Sequence, residues 1–371
     1  MKKVLFLINT LRTGGAEKIL LNTVNNLVAN DIEITVQTIF DDGIFSDQLN
    51  NKIKYKKILT KKSNIIYKFL SFAFWKILSP KFLYNFFIKD DYDYEIAFLE
   101  GFPTKIISNS TNKKSKKIAW IHTNLIDYPD SVEAFGSEKK ERKGYSKFDS
   151  IACVSNGVKD AFIKKYGEII ENIQTVYNLF DEENILTLSK EECEYQKKTN
   201  VIVSVGRLVE QKGFDRLLRV QKRLNEENIL SELWIIGEGE KRLELEEFIE
   251  NNKLNNVKLL GFQNNPYKYM AQADVFVSSS IAEGYSTVIT ESVVLGVPVI
   301  STNTSGANEP IEVPRCSLVV EDEEELYIAL KSVLSDNDRL NALKNEVKVK
   351  QNFFKKEKVL KKLKDFLEFG D

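Results

Sequence analysis

Histidine is almost absent from this 371-residue chain, with His122 standing alone. A single imidazole excludes the histidine-rich sets that hold catalytic zinc. Cysteine is nearly as scarce. Cys153, Cys193 and Cys316 are odd in number and none sits in a CxxC pair. Neither a disulfide scaffold nor a cysteine metal site is indicated, and a reducing cytosol fits. Charge of neither sign is in excess. With 53 basic and 54 acidic residues the formal net charge is −1, so no global field favours nucleic acid. Arginine is rare, at nine residues, which draws notice to each one. No run of about 18 uncharged apolar residues occurs, so no spanning helix is expected. The opening MKKVLFLINT is basic and then briefly apolar, but the polar LRTGGAEK follows at once without a small-residue cleavage site. It reads as a buried first strand rather than an export signal.

What the chain does contain points to two α/β domains. At roughly 150 residues per domain the length suits two, and 43% hydrophobic residues can fill two cores. KVLFLINT–LRTGG–AEKILLNTVNNLVAN and VIVSVG–RLVEQKG–FDRLLRVQKRLNEE share one pattern, a β run, a glycine-bearing loop and a run of helical period. IEITVQTI, YEIAFLE, KKIAWIH, SIACVS and IQTVY follow the first. LWIIGEG, VKLLGF, DVFVSS, VPVIST and SLVVE follow the second. Short, fully apolar strands suit parallel sheets covered on both faces. The expected architecture is therefore two Rossmann-like lobes, residues 1–178 and 179–351, with the polar stretch after Asn178 as linker. The amphipathic residues 352–371 are expected to close the chain by packing back on the first lobe.

The strongest chemical signal is SSSIAEGYSTVITESVVLGVPVIST. Its spacing predicts a strand, a loop and a helix from Thr287 to Leu295 capped by Ser286 and stopped by Gly296. The backbone N–H groups of Tyr285, Ser286 and Thr287 then form a helix start that attracts phosphate. Glu283, at the loop mouth, is placed to accept from sugar hydroxyls, and Glu291, two turns on, from a ribose diol. An ordinary strand–turn–helix with two solvated glutamates fits the spacing as well. Arg207 and Lys212 lie five residues apart beside a glycine after VIVSVG, a pairing that suits a diphosphate. Gly14 and Gly15 open the first helix, where small residues permit close approach by phosphate or merely a tight turn. They are not the GxGxxG dinucleotide fingerprint. Gly237 and Gly239 form a further strand-to-helix turn, followed by Lys241 and Arg242, which fit a ligand or a surface role equally. Ser305 and Gly306 occupy another strand-end loop. His122 follows the apolar run IAWI, at the end where parallel sheets place ligands.

TGGAEK, VSVGRLVEQKG, IIGEGEKRLELEEFI, LLGFQNNPYKYMAQADVFV and the Glu283–Glu291 block, taken in this order, resemble the retaining glycosyltransferases of the GT4 family with the GT-B fold. The resemblance spans most of the chain and implies two lobes facing across a cleft. It implies an acceptor-side first lobe and a nucleotide-sugar-binding second lobe. It also implies that Arg207 and Lys212 bind the donor diphosphate and that the loop of Gly14 and Gly15 lies beside the donor phosphates. By the same resemblance Gly237 and Gly239 border the nucleotide and His122 contacts the donor sugar. The expected activity is metal-independent, retaining transfer of a sugar from an NDP-sugar, by default a UDP-sugar, to a glycan or polyprenyl-diphosphate-linked acceptor. No cofactor and no metal are expected. A two-lobed sugar-nucleotide epimerase and a non-catalytic sugar-binding protein are the alternatives.

Residues 52–89 hold ten lysines, ten aromatics and no acid. Segment 56–89 of this stretch reads as one or two helices broken at Pro80. Lysines around an aromatic body suit an anionic membrane surface, or a core helix whose lysines reach out to water. The corresponding expectation is a cytoplasmic protein, peripheral on the inner face of the plasma membrane.

Overall fold

In a computed structural model, residues 1–369 are described except 13, 30, 41–44, 60–78, 305–308, 310–316 and 352–354. The chain divides into two units, Met1–Leu179 with Val359–Asp371, and Phe180–Lys358.

The first unit runs β1 (Lys2–Ile8), α1 (Gly15–Leu27), β2 (Ile32–Phe40), β3 (Lys54–Leu59), α2 (Pro80–Phe87), β4 (Tyr94–Ala97), α3 (Phe102–Ile107), β5 (Lys116–Ile121), α4 (Ser131–Phe135), α5 (Glu138–Tyr145), β6 (Ser150–Cys153), α6 (Asn156–Tyr166) and β7 (Ile173–Thr175). The strands form a seven-stranded sheet in the order β3-β2-β1-β4-β5-β6-β7, with every pairing parallel. The central strands are buried from end to end, as in Val4–Ile8 and Ile118–Ile121, because helices cover both faces of such a sheet.

The second unit runs α7 (Glu182–Leu188), β8 (Asn200–Val205), α8 (Phe214–Glu226), β9 (Ser231–Ile236), α9 (Arg242–Asn251), β10 (Val257–Leu259), α10 (Tyr267–Met270), β11 (Val275–Ser278), α11 (Thr287–Val294), β12 (Val299–Thr302), β13 (Ser317–Val320), α12 (Glu323–Leu334) and α13 (Asn337–Lys350). Its six strands lie in the order β10-β9-β8-β11-β12-β13, again all parallel. Its core joins β8, β9 and β11 to α8 and α12 through residues such as Ile202, Leu217, Leu233, Val277 and Leu330. In each sheet the first four strands of the unit take the same relative order, third, second, first, fourth. The two expected Rossmann-like lobes are both present.

The last helix, α14 (Lys356–Leu367), buries Leu363, Phe366 and Leu367. Phe366 meets Trp120 edge-on at 6.3 Å and Phe369 meets Tyr94 at 5.2 Å. Lys2 Nζ donates to the Glu368 carbonyl at 2.6 Å. The end of the chain is therefore part of the first unit's core.

Two local expectations are corrected. Residues 54–59 form strand β3, paired with β2 from Thr35–Lys54 to Phe40–Leu59, and not a helix. The sheet edge offers backbone partners that the lysine-rich composition does not reveal. Pro80 is the first residue of α2, and residues 60–78 on its other side lie outside the described residues. The proline's missing N–H is harmless at the first position, and Ser79 Oγ accepts from Phe82 N at 3.2 Å as the cap. The supposed linker contains α7, capped by Asp181, whose carboxylate accepts from Asn184 N at 3.2 Å. Only Ile185 of this helix is buried, so it carries no readable period.

Candidate active site

The second sheet changes its direction of growth between the neighbouring strands β8 and β11, so the loops after these strands leave side by side at its carboxyl edge. Open α/β sheets bind ligands at this point. The two loops are stitched together by backbone and side-chain bonds. Ile281 N donates to the Gln211 carbonyl at 2.8 Å, Gln211 Nε2 to the Ala282 carbonyl at 3.0 Å, and Ser279 Oγ to the Lys212 carbonyl at 3.0 Å. Gly213, at φ 59°, turns the first loop into α8, and a Cβ there would lie 2.3 Å from the Ser279 carbonyl oxygen. Only glycine permits that approach.

The stitching brings Lys212 and Glu283 into an ion pair, with side chains 18% and 11% exposed. Ser280 Oγ also donates to the Glu283 carboxylate, at 2.9 Å, while Thr302 Oγ1 ties the Ser280 carbonyl to β12 at 2.5 Å. Glu283 is thus engaged by Lys212 and Ser280, not open at a loop mouth, and Lys212 is held by an acid where a diphosphate was expected. At this degree of burial each charge needs the other. Arg207, in the same loop, is exposed, and its guanidinium has no hydrogen-bond or ion-pair partner among the described residues.

Helix α11 starts at Thr287 as expected and ends before Gly296, which takes φ 76°. Ser286 is its cap by position, but its hydroxyl makes no cap bond and is buried without a partner. Tyr285 is buried and accepts from Thr290 Oγ1 at 3.1 Å. Glu291 is 2% exposed, and its carboxylate accepts from Tyr267 Oη at 3.1 Å. Glu291, the expected ribose acceptor, is thus an interior group whose orientation Tyr267 helps set, and not the solvated glutamate of the alternative reading. Burial and the adjacent Glu291 charge push the Tyr267 phenol far above its ordinary value.

Gly237 and Gly239 have a packing role. A Cβ on Gly237, at φ 149°, would fall 1.8 Å from the Gly206 carbonyl oxygen, and one on Gly239 would fall 2.3 Å from that of Leu208. The loops after β8 and β9 therefore lie backbone on backbone. Lys241 pairs with Glu210 at 2.7 Å and Glu244 at 2.8 Å, and Arg242 with Glu238 at 2.5 Å and Glu246 at 2.8 Å. These cations take the surface role. Ser305 and Gly306 lie outside the described residues.

In the first unit, Gly14 caps α1 and Gly15 is its first residue. The Glu17 carboxylate folds over Gly14, where a Cβ would lie 2.1 Å from its Oε2, and it accepts from Thr10 Oγ1 at 3.4 Å. An acid of this chain thus occupies the helix start expected to face phosphate, where it is favourable to the dipole. His122 follows β5. Its ring lies 4.9 Å from that of Phe98 and donates to the Phe98 carbonyl, leaving Nε2 buried with no partner. Burial pushes its pKa down to about 3, against the raising effect of that hydrogen bond. Its backbone N–H donates to Glu100, which also accepts from Thr123 N at 2.7 Å and Thr123 Oγ1 at 3.2 Å.

Glu100, Gln211, Tyr267 and Ser280 were not singled out from the sequence. The one signal for Glu100 is its position between the end of β4 and Gly101, which takes φ 78°. Among the described residues no group of three or more His, Cys, Asp or Glu side chains is placed to hold a metal ion. No described helix is long and apolar enough to cross a membrane.

Residues 188–350 match the family model described as "Glycosyl transferases group 1". Across 97% of both chains the sequence is 29% identical to the N-acetylgalactosamine-N,N'-diacetylbacillosaminyl-diphospho-undecaprenol 4-alpha-N-acetylgalactosaminyltransferase of Campylobacter jejuni. The fold is shared with Anabaena Alr3699/HepE, solved in complex with UDP and glucose. That TM-score is 0.78 at 19% identity, over 99% of this chain and 100% of that one. It is shared likewise with WaaG, a glycosyltransferase involved in lipopolysaccharide biosynthesis, at a TM-score of 0.73 and 15% identity over 99% and 100% of the two chains.

Proposed function

We propose that this chain, whose residues 188–350 match the model of the group 1 glycosyl transferases, transfers a sugar from a UDP-sugar to a lipid-linked or polysaccharide glycan, with retention and without a metal. The observation that carries this reading is the stitched loop pair at the switch point of the second sheet. It sets Lys212 against Glu283 and leaves Arg207, in the same loop, exposed and without a side-chain partner among the described residues. The UDP complex of a fold neighbour supports the choice of donor. The diphospho-undecaprenol in the name of the C. jejuni relative supports the choice of acceptor.

In the proposed reaction the bond from the anomeric carbon to the diphosphate oxygen breaks. The acceptor oxygen bonds to that carbon on the same face, and its proton passes to the departing phosphate. Negative charge grows on the leaving diphosphate. Arg207, Lys212 and the α11 N-terminus around Tyr285, Ser286 and Thr287 supply fixed positive charge to meet it. Lys212 exchanges Glu283 for phosphate, and Glu283 is then free to accept from a sugar hydroxyl. Glu291 is assigned to the ribose, and His122 to a sugar hydroxyl that donates to its Nε2. Gly14 and Gly15 in the first unit, and Gly237 and Gly239 in the second, keep their own loops slim. The enzyme is assigned to the cytoplasmic face of the plasma membrane, held there through residues 52–89.

The test is Arg207→Ala. Arg207 is exposed, so the fold should persist, and turnover should fall by about 10²-fold, as for loss of one preorganised charge. Wild-type turnover in that variant would remove the assignment. Lys212→Ala is the less clean variant, because it also strands the Glu283 carboxylate.

A further inference from the structure

One buried carboxylate has no part in the chemistry above. Glu100, at the carboxyl end of β4, directs one oxygen at three donors, the N–H groups of His122 and Thr123 and the Thr123 hydroxyl. Burial raises its pKa although these hydrogen bonds act to lower it. A buried acid kept at that cost has to hold something in place. Its donors are the two peptide groups that end β5 and set the direction of the His122 side chain.

We propose that Glu100 is a positioning residue, which fixes the turn after β5 so that the sole histidine stands with Nδ1–H on the Phe98 carbonyl and Nε2 as a lone-pair acceptor. Two further features agree. The Phe98 ring packs on the imidazole at 4.9 Å, tilted by 55°, so the strand that delivers Glu100 also supplies the ring's packing partner and its acceptor carbonyl. Nε2 is buried and unpartnered, so the tautomer is set from one side only. An imidazole locked this way accepts a hydrogen bond and does not donate one, and its partner must be a hydroxyl or another neutral donor, not a phosphate oxygen. The proposal rests on the functional reading only for the identity of that partner.

His122 is the only histidine, so 15N-histidine labelling of the full chain gives one pair of ring signals with no assignment problem. The wild type should show the Nδ1–H pattern, unchanged from pH 5 to 8. E100M keeps the side-chain length and removes the acceptor. It should give averaged or Nε2–H signals that titrate towards the ordinary histidine value of about 6.5. Its kcat should fall at least about 10-fold, the scale of a small misplacement, with donor KM moving less than about threefold. E100Q, which retains one acceptor oxygen, should restore the wild-type ring pattern. Folded E100M with wild-type ring signals overturns the proposal. Should E100M not fold, T123V removes one of the three donors, and unchanged ring signals there overturn it equally. H122A separates the two claims. Full turnover in H122A ends the assignment of His122 to a sugar, while the ring signals alone decide whether Glu100 positions it.

Discussion

At the scale of single residues, the buried carboxylates of Glu100, Glu283 and Glu291 are each fixed by named partners, and those partners set their response to substitution. Glu291 is the clearest case. Its carboxylate is interior and accepts from Tyr267, so Glu291→Ala would strand a phenol as well as remove the proposed ribose contact. Glu291→Gln keeps the shape. It should raise the donor Kd by roughly one decade, the scale of a charged hydrogen bond. A 2'- and 3'-deoxyribose donor should bind wild type and variant alike. Calorimetry in which the variant still prefers the ribose donor as strongly as wild type would take the ribose from Glu291. His122 gives a pH prediction. Its folded pKa lies near 3, below the ordinary 6.5, because of burial. Between these values the unfolded chain binds the extra proton, so stability rises with pH there and is lost as pH falls below about 6.5. Relative to His122→Phe, the wild type should therefore lose stability on acidification from pH 7 to 4. Parallel urea midpoints of the two proteins over that range would count against a buried neutral imidazole.

At the scale of elements, loops are held by backbone contacts that tolerate no side chain. Gly237→Ala places a Cβ 1.8 Å from the Gly206 carbonyl at a positive φ. It should destabilise the protein by about 2–4 kcal/mol, the range for a strained and overpacked site. A thermal unfolding midpoint within a degree of wild type would show that the two loops part at little cost. Helix α2 gives a different prediction. It buries Leu83, Tyr84 and Phe87 and turns Phe82 and Phe86, 50% and 49% exposed, to the outside with Lys81 and Lys89. The two rings stack at 6.0 Å and Lys89 Nζ lies 5.4 Å from the Phe86 ring centroid. Phe72, Phe74 and Trp75, the aromatics central to the basic stretch, lie outside the described residues. If residues 52–89 dock on a membrane, F82S/F86S should reduce sedimentation with anionic vesicles and leave donor binding intact. Aromatic insertion adds a part that salt does not abolish, while each lysine adds roughly 1 kcal/mol that salt weakens. A wild-type protein that stays in the supernatant with anionic vesicles ends the docking proposal.

At the scale of the whole molecule, two parallel sheets with the same opening strand order give each unit its own row of strand-end loops. The second unit concentrates the proposed leaving-group charges there. Because Arg207, Lys212 and the α11 N-terminus are proposed to neutralise the departing diphosphate, transfer should persist in excess EDTA. Loss of activity restored only by Mg²⁺ or Mn²⁺ would assign that charge to a metal. The donor can be sought with the intact chain, since a bound ligand raises apparent stability by mass action. A UDP-sugar should raise the melting temperature more than the matching GDP- or ADP-sugar. A larger shift with another base would revise the donor.

The two α/β units follow from sequence alone, because the signal is local. A short apolar run such as VIVSV can be satisfied only inside a sheet covered on both faces, and Gly213 or Gly296 marks where a helix begins or stops. The same local logic singled out Arg207, Lys212, Glu283 and Glu291 as candidates, since each sits at a fixed offset from a strand end. What the sequence withheld is what each side chain faces. The Lys212–Glu283 pair spans 71 residues, the Tyr267–Glu291 bond 24 and the Glu100–His122 contact 22. None follows from periodicity. Residues 54–59 became a strand because β2 offered a free edge, and α7 stayed hidden because one buried residue leaves no pattern. Local spacing determines which element a residue occupies. Only the tertiary fold decides whether its charge meets water, an opposite charge or a buried peptide group, because burial and pairing are properties of neighbours brought from elsewhere in the chain.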